Sequence, residues 1–255
     1  MATSPDQTIS LFGWLRLVLR LIALAMLLLA SIPVHFIWRI LAYGSPIPMI
    51  FLRSAGWIMG ARVTIAGKPL RRNVFFISNH VSWLDIVVLA GATGTSFIAK
   101  AELEHTPLVG WMATLNRTVY VERSERGKIS EQIDALKEAL NDTWSVTIFP
   151  EGTTSSNDTL LPFKSALLKV LDPPPEDVRV QPVFLDYKDA ASQIAWIGEE
   201  SGLDNIRKIL SRKGHFPVIL HYLEPFSPVE VTGRKAIAAH ARTEIETALR
   251  IQRGA

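Results

Sequence analysis

The chain begins with an apolar fifth and continues as short apolar runs alternating with polar breaks. Residues 1 to 10 are polar and read as a flexible N-terminus. From Leu17 to Tyr43 the only strongly polar side chains are Arg20, His35 and Arg39. The unbroken heart of that run, Leu21 to Ala30, is too short to cross a bilayer alone. Extended through Phe36 it just crosses, with Arg20 and Arg39 snorkelling at its two ends. The breaker Gly44-Ser45-Pro46-Ile47-Pro48 then leads into a second apolar stretch, Met49 to Met59. Trp14, Trp38 and Trp57 stand where interfacial anchors would lie. Residues 11–60 therefore read as a two-helix membrane anchor, either spanning or lying in one leaflet. A signal peptide would need a basic segment that residues 1 to 10 lack, and a core helix would need a polar face that Leu21 to Ala30 lacks.

Residues 61–255 carry the periodicities of a layered α/β domain. Strands are expected at Ala61 to Gly67, Val74 to Ser78, Thr95 to Ala99, Thr118 to Glu122, Ser145 to Phe149, Val178 to Leu185 and Phe216 to Leu223. Between them, an apolar segment closed by Gly91 reads as a helix, as do Pro107 to Leu115 and Ser165 to Leu171. Ile129, Ile133, Leu136 and Leu140 make Gly127 to Asn141 an amphipathic helix packed on the sheet. Further helices are expected near Leu203 to Ser211 and at Arg234 to Ile251.

Composition narrows the function. At 255 residues and 48% hydrophobic content there is material for one sizeable core. The absence of cysteine excludes disulfides, thiolate metal sites and a cysteine nucleophile. A net charge of +3 and a pI near 9.2 suit an anionic membrane surface or a phosphorylated small molecule. No dense Lys/Arg stripe interleaved with aromatics points to nucleic acid.

The candidate chemistry sits where apolar strands end. His80 follows the Val74 to Ser78 run, and Asp85 lies five residues on, in the first turn of the next helix, within reach of the ring. Such a carboxylate fixes the imidazole tautomer and stabilises the imidazolium. The pair is half of a Ser-His-Asp arrangement with the nucleophile missing, so the hydroxyl would come from a substrate. Taken alone, a His and a nearby Asp are more ordinarily a satisfied surface pair. A second strand empties into Pro150-Glu151-Gly152-Thr153-Thr154, where Gly152 permits close backbone approach and successive N–H groups can cradle an anion. The bland reading of that loop is a tight turn with Glu151 as a cap. Lys100 and Arg123 each terminate an apolar strand and would ordinarily be solvated charges. No third ligand at a recognisable spacing joins His80 and Asp85 in a metal site, and the other histidines read as structural or surface residues.

Together, Asn79-His80 with Asp85 and Phe149-Pro150-Glu151-Gly152-Thr153 resemble the first and third blocks of the glycerolipid acyltransferase family, which includes the 1-acyl-sn-glycerol-3-phosphate acyltransferases. Lys100-Ala101-Glu102-Leu103, Val119 to Arg123 and Val180-Gln181-Pro182-Val183 follow in the family's order. The resemblance implies a mixed sheet covered by helices, the glycerol-3-phosphate acyltransferase-like fold. It also implies transfer of a fatty acyl group from acyl-CoA or acyl-carrier protein to the free hydroxyl of a lysolipid. His80 would be the general base and Asp85 its orienter, with no cofactor. Glu151 would hold glycerol-like hydroxyls, Gly152 and Thr153 would lie near the oxyanion or head group, and Lys100 and Arg123 would contact an acceptor phosphate.

The acceptor expected from the resemblance is 1-acyl-sn-glycerol-3-phosphate, which would give phosphatidic acid. Two departures bear on it. Thr154 stands where many phosphatidic-acid-forming members have Arg, and Arg117 stands where the second block usually has Gly. Another lysolipid such as phosphate-free lyso-ornithine lipid is the alternative acceptor. A non-catalytic lipid-binding protein is a further alternative, against which intact His80, Asp85 and Glu151 weigh. A lipid hydrolase is disfavoured because no Gly-x-Ser-x-Gly elbow occurs. The expected place of action is the cell membrane, with the catalytic domain on the cytoplasmic face where such donors reside.

Overall fold

The structure, a computed structural model, describes residues 9–42, 44–100, 118–121, 145–175 and 177–254. Helix α1 (Leu11–Leu41) is continuous over 31 residues and passes through Pro33. Ser10 caps it, its Oγ accepting from Gly13 N–H at 3.2 Å. At 1.5 Å per residue α1 is about 46 Å long, more than the roughly 30 Å of a hydrocarbon core. Its most apolar window has a mean hydropathy of 2.5 and is 6% buried, so by length and composition it can cross a membrane. Helix α2 (Ile47–Met59) has 13 residues, too few to span, and ends at Gly60 with φ 105°.

Arg20 does not snorkel as the sequence led us to expect. Its guanidinium donates to the carbonyls of Ile209, Leu210, Arg212 and Gly214 at 2.9–3.2 Å. These carbonyls close helix α5 (Gly202–Ser211), and Arg16 Nε adds a bond to Ser211 O at 3.0 Å. A cation at a helix C-terminus satisfies orphan carbonyls and the negative end of the dipole. The first three turns of α1 are thereby pinned to the domain, while Leu15, Val18, Leu19 and Ile22 remain exposed.

Among the described residues, seven strands form one sheet in the order β1-β7-β6-β2-β5-β3-β4. They are β1 (Ala61–Gly67), β2 (Val74–Ser78), β3 (Ser96–Lys100), β4 (Val119–Val121), β5 (Ser145–Ile148), β6 (Arg179–Asp186) and β7 (Phe216–Tyr222). Pairing is parallel except between β6 and β7, which gives the mixed sheet. Strand β2 is buried throughout because it lies between two parallel neighbours with both faces covered. Its Val74 and Phe76 join Leu84, Val88, Ala55, Met59 and Leu17 on one face. Phe75 and Ile77 join Ile148, Ile237 and Ala241 on the other. The two N-terminal helices thus share the domain's core.

Helix α3 (Leu84–Thr93) outlasts Gly91 and is ended by Gly94, whose φ of 72° supplies the left-handed cap. Gly91 serves packing instead. A Cβ there would meet Arg53 N of α2 at 2.7 Å, so only glycine permits this crossing. The expected helix at Ser165–Leu171 is a 3₁₀ helix. A short α4 (Ala191–Ile194) precedes α5, and α6 (Arg234–Arg253) covers the second face. The helices expected at 107–115 and 127–141 lie outside the described residues.

If the Arg20 clamp holds α1 on the domain, Arg20→Met should strand the α5 carbonyls at a cost of about 2 kcal/mol. In detergent this lowers the melting temperature by roughly 5 °C. An unchanged melting temperature would show that the clamp contributes nothing to stability.

Candidate active site

Three adjacent strands, β6, β2 and β5, run parallel, end at one edge of the sheet and deliver the site's groups. His80 follows β2, Glu151 follows β5 and Tyr187 follows β6. Crevices at the carboxyl ends of parallel strands are where α/β folds bind ligands.

The expected contact is present: His80 Nδ1 lies 2.7 Å from Asp85 Oδ2, with the His side chain 18% exposed and the Asp carboxylate buried. A carboxylate only accepts, so Nδ1 carries a proton, and in the neutral ring Nε2 is the nitrogen that keeps its lone pair. Oδ2 also accepts from Val81 N–H at 2.6 Å and Ser82 N–H at 3.0 Å. Oδ1 accepts from Tyr187 OH at 2.7 Å. Four donors therefore solvate a charge that water does not reach. Burial, then the neighbouring Asp85 carboxylate, hold the Tyr187 hydroxyl well above the usual phenol range, so it remains a donor. The imidazole stacks on Phe149 with ring centroids 4.1 Å apart and a 13° interplanar angle. Phe149 in turn stacks on Phe97 at 5.8 Å.

The 150–157 loop grips the backbone of His80. Glu151 Oε1 accepts His80 N–H at 2.8 Å and Oε2 accepts Leu161 N–H at 3.0 Å. Ser155 N–H donates to His80 O at 2.8 Å. Both carboxylate oxygens of Glu151, which the family resemblance assigned to substrate hydroxyls, accept from backbone donors in this structure. At 1% exposure its oxygens are committed to backbone donors, as a buried carboxylate requires. Burial raises its pKa against the opposing pull of the Leu161, His80 and Ser155 hydrogen bonds.

Gly152 adopts φ 71° and donates its N–H to Phe149 O at 3.1 Å, closing the turn, so that N–H is spent. Thr153 is exposed at the loop's apex. The Thr154 hydroxyl donates to Trp196 O, and Trp196 N–H donates to Val81 O at 3.0 Å. Position 154 therefore braces the segment that follows His80. Lys100 ends β3, but its side chain, with Arg117 and Arg123, lies outside the described residues, so the structure does not place the expected phosphate contacts. Among the described residues no cluster of three His, Cys, Asp or Glu could hold a metal.

Sequence reasoning missed Tyr187 and Asn205. Asn205 of α5 accepts from Trp83 Nε1 at 3.0 Å and Ser82 Oγ at 3.4 Å, which fixes the turn between His80 and Asp85. The one signal for Tyr187 was its place just after an apolar strand, much the place His80 occupies on β2. Nothing in the sequence marked Asn205.

A family model described as acyltransferase matches residues 62–186. Lyso-ornithine lipid O-acyltransferase from Brucella abortus is 32% identical over 260 residues, covering 94% of this chain and 96% of that protein. The enzyme of the same name from Rhodobacter capsulatus is 27% identical, covering 96% and 94%. 1-Acyl-sn-glycerol-3-phosphate acyltransferase from Neisseria gonorrhoeae is 42% identical over 106 residues, 40% of this chain and 42% of that one. The crystal structure of the 1-acyl-sn-glycerophosphate acyltransferase PlsC from Thermotoga maritima superposes with a TM-score of 0.59 at 21% identity, covering 80% and 77% of the two chains. That likeness shows the fold.

The raised pKa of Glu151 has a signed consequence. A group whose folded pKa lies above its unfolded value contributes stability that is complete below the unfolded pKa and lost as pH rises through the folded one. The stability difference between wild type and Glu151→Gln should therefore move in favour of the variant as pH rises from about 4 to about 7. Melting curves across that range check it, and a difference that is flat or moves the other way refutes the shift.

Proposed function

The chain belongs to the acyltransferase family, and from that premise we propose that it transfers a fatty acyl group to the free hydroxyl of a lysolipid, with His80 as general base. The observation that supports this is the His80–Asp85 pair, with Nδ1 held at 2.7 Å and Nε2 left to take a proton. The acceptor hydroxyl attacks the carbonyl carbon of an acyl thioester while Nε2 removes its proton, and the resulting imidazolium is stabilised by Asp85. The tetrahedral intermediate then expels the thiolate, which recovers the proton from Nε2. No acyl-enzyme forms, because the nucleophile is the acceptor itself. The donor is acyl-CoA or acyl-carrier protein. The lysolipid is drawn from the membrane that α1 enters, with the domain on the cytoplasmic face.

For the acceptor, we infer lyso-ornithine lipid. Two lyso-ornithine lipid O-acyltransferases align over 94% and 96% of this chain. Thr154 also removes the cation that many phosphatidic-acid-forming members carry, and its hydroxyl is spent on Trp196 O. The second reading, 1-acyl-sn-glycerol-3-phosphate, is favoured by the local 42% identity to the Neisseria gonorrhoeae enzyme.

Purified protein in detergent, given labelled acyl-CoA with both acceptors side by side, should acylate lyso-ornithine lipid preferentially. Preference for the phosphate-bearing acceptor would reverse the inference, and labelled free fatty acid as the main product would indicate a hydrolase. His80→Ala should lower the rate by about three orders of magnitude or more, on the order seen when a base is removed from such a site. A variant that keeps most of its rate would remove His80 from the role of base.

A further inference from the structure

The catalytic pair has one partner that none of the sequence motifs describes. The Tyr187 hydroxyl comes from the far side of Asp85, from the strand end opposite the loop that grips His80, and lies 2.7 Å from Oδ1. We propose that Tyr187 is a positioning residue for the acyl-transfer reaction, acting through Asp85 to keep the His80–Asp85 pair aligned and to lower its affinity for a second proton. The proposal rests on the assignment of His80 as base.

The geometry carries it in three steps. Oδ2 already takes three donors, His80 Nδ1, Val81 N–H and Ser82 N–H. These fix the carboxylate towards the histidine. Oδ1 has the Tyr187 hydroxyl as its hydrogen-bond donor, and both side chains are fully buried, so no water replaces a lost bond. The ring of Tyr187 is fully buried, with the Phe216 ring centroid 6.2 Å from its own. Burial keeps that hydroxyl protonated, and a phenol that cannot ionise is a fixed donor.

A donor to Oδ1 stabilises the anion and so lowers the affinity of the pair for its next proton. Among the described residues, the other titratable group against the pair is Glu151, whose Oε1 holds His80 N–H. Helix α5 presents neutral Asn205 to Ser82 and Trp83, with Glu200 and Lys208 paired behind it at 2.7 Å. Asp186, beside Tyr187 in sequence, turns to Asn157 and Lys188. Among the described residues no cation offsets the loss of the Tyr187 donor.

The test is the pH profile of kcat/KM, which reports the free enzyme's essential groups. In Tyr187→Phe the acid limb should move to higher pH by about one unit, with the plateau at high pH within roughly tenfold of wild type. A merely structural tyrosine would lower the rate at every pH and leave the limb in place, and that result overturns the proposal. Replacing Tyr187 with a ring-fluorinated tyrosine keeps the shape and strengthens the donor, so the limb should move to lower pH. This second variant decides the matter if Tyr187→Phe does not fold. An inactive His80→Ala beside an unmoved limb overturns the Tyr187 role alone. A His80→Ala that retains the wild-type rate overturns the base assignment and this proposal with it.

Discussion

A carboxylate with no access to water is the constraint around which the domain is assembled. Moving an ionised Asp into a protein interior costs several kcal/mol unless donors replace the lost hydration. Asp85 meets that demand with two backbone N–H groups, an imidazole and a phenol. Each donor fixes a different element. The backbone pair sets the turn between β2 and α3, the imidazole sets the rotamer of His80, and the phenol ties the end of β6 to the start of α3. Remove the charge and these elements lose their common reason for being in register.

Glu151 repeats the solution one strand away. Its two oxygens take backbone donors from the segments after β2 and after the turn that follows β5. The consequence is that His80 is held from both directions along its own chain, by N–H to Glu151 and by its carbonyl to Ser155. In the proposed role of base, His80 gains from this because proton transfer depends on a heavy-atom approach of about 3 Å, and a loose imidazole rarely samples it. The family resemblance led us to give Glu151 to the substrate. In this structure it is buried and braces the backbone on either side of the site.

The sheet was largely legible from periodicity. Strands β1, β2, β6 and β7 lie within a residue of where their patterns placed them: β2 and β6, covered on both faces, read as apolar runs, and β7 alternates buried with less buried positions. The dyad was legible because five residues between strand end and helix turn bring a carboxylate under an imidazole. What was not legible depends on partners distant in sequence. Gly91 and Gly94 look alike in the sequence, yet the first is required by the approach of α2 and the second by a left-handed cap. Arg20 looked like a snorkelling charge because the α5 carbonyls that bind it come some 190 residues later. Tyr187 and Asn205 act through single contacts that no local pattern encodes.

Those distant contacts join the apolar N-terminal helices to the chemistry. Arg20 holds the C-terminal carbonyls of α5, and Asn205 on the same helix holds Ser82 and Trp83, which lie between His80 and Asp85. Leu17, Ala55 and Met59 pack in the same core as Leu84 and Val88 of α3. An anchor built as a separate tether would need none of this. Here the helix that is long and apolar enough to cross a membrane is built into the domain that carries His80. A chain of hydrogen bonds and core contacts runs from α1 through α5 to the His80 turn, so the position of α1 and that of the His80–Asp85 pair are fixed by the same packing.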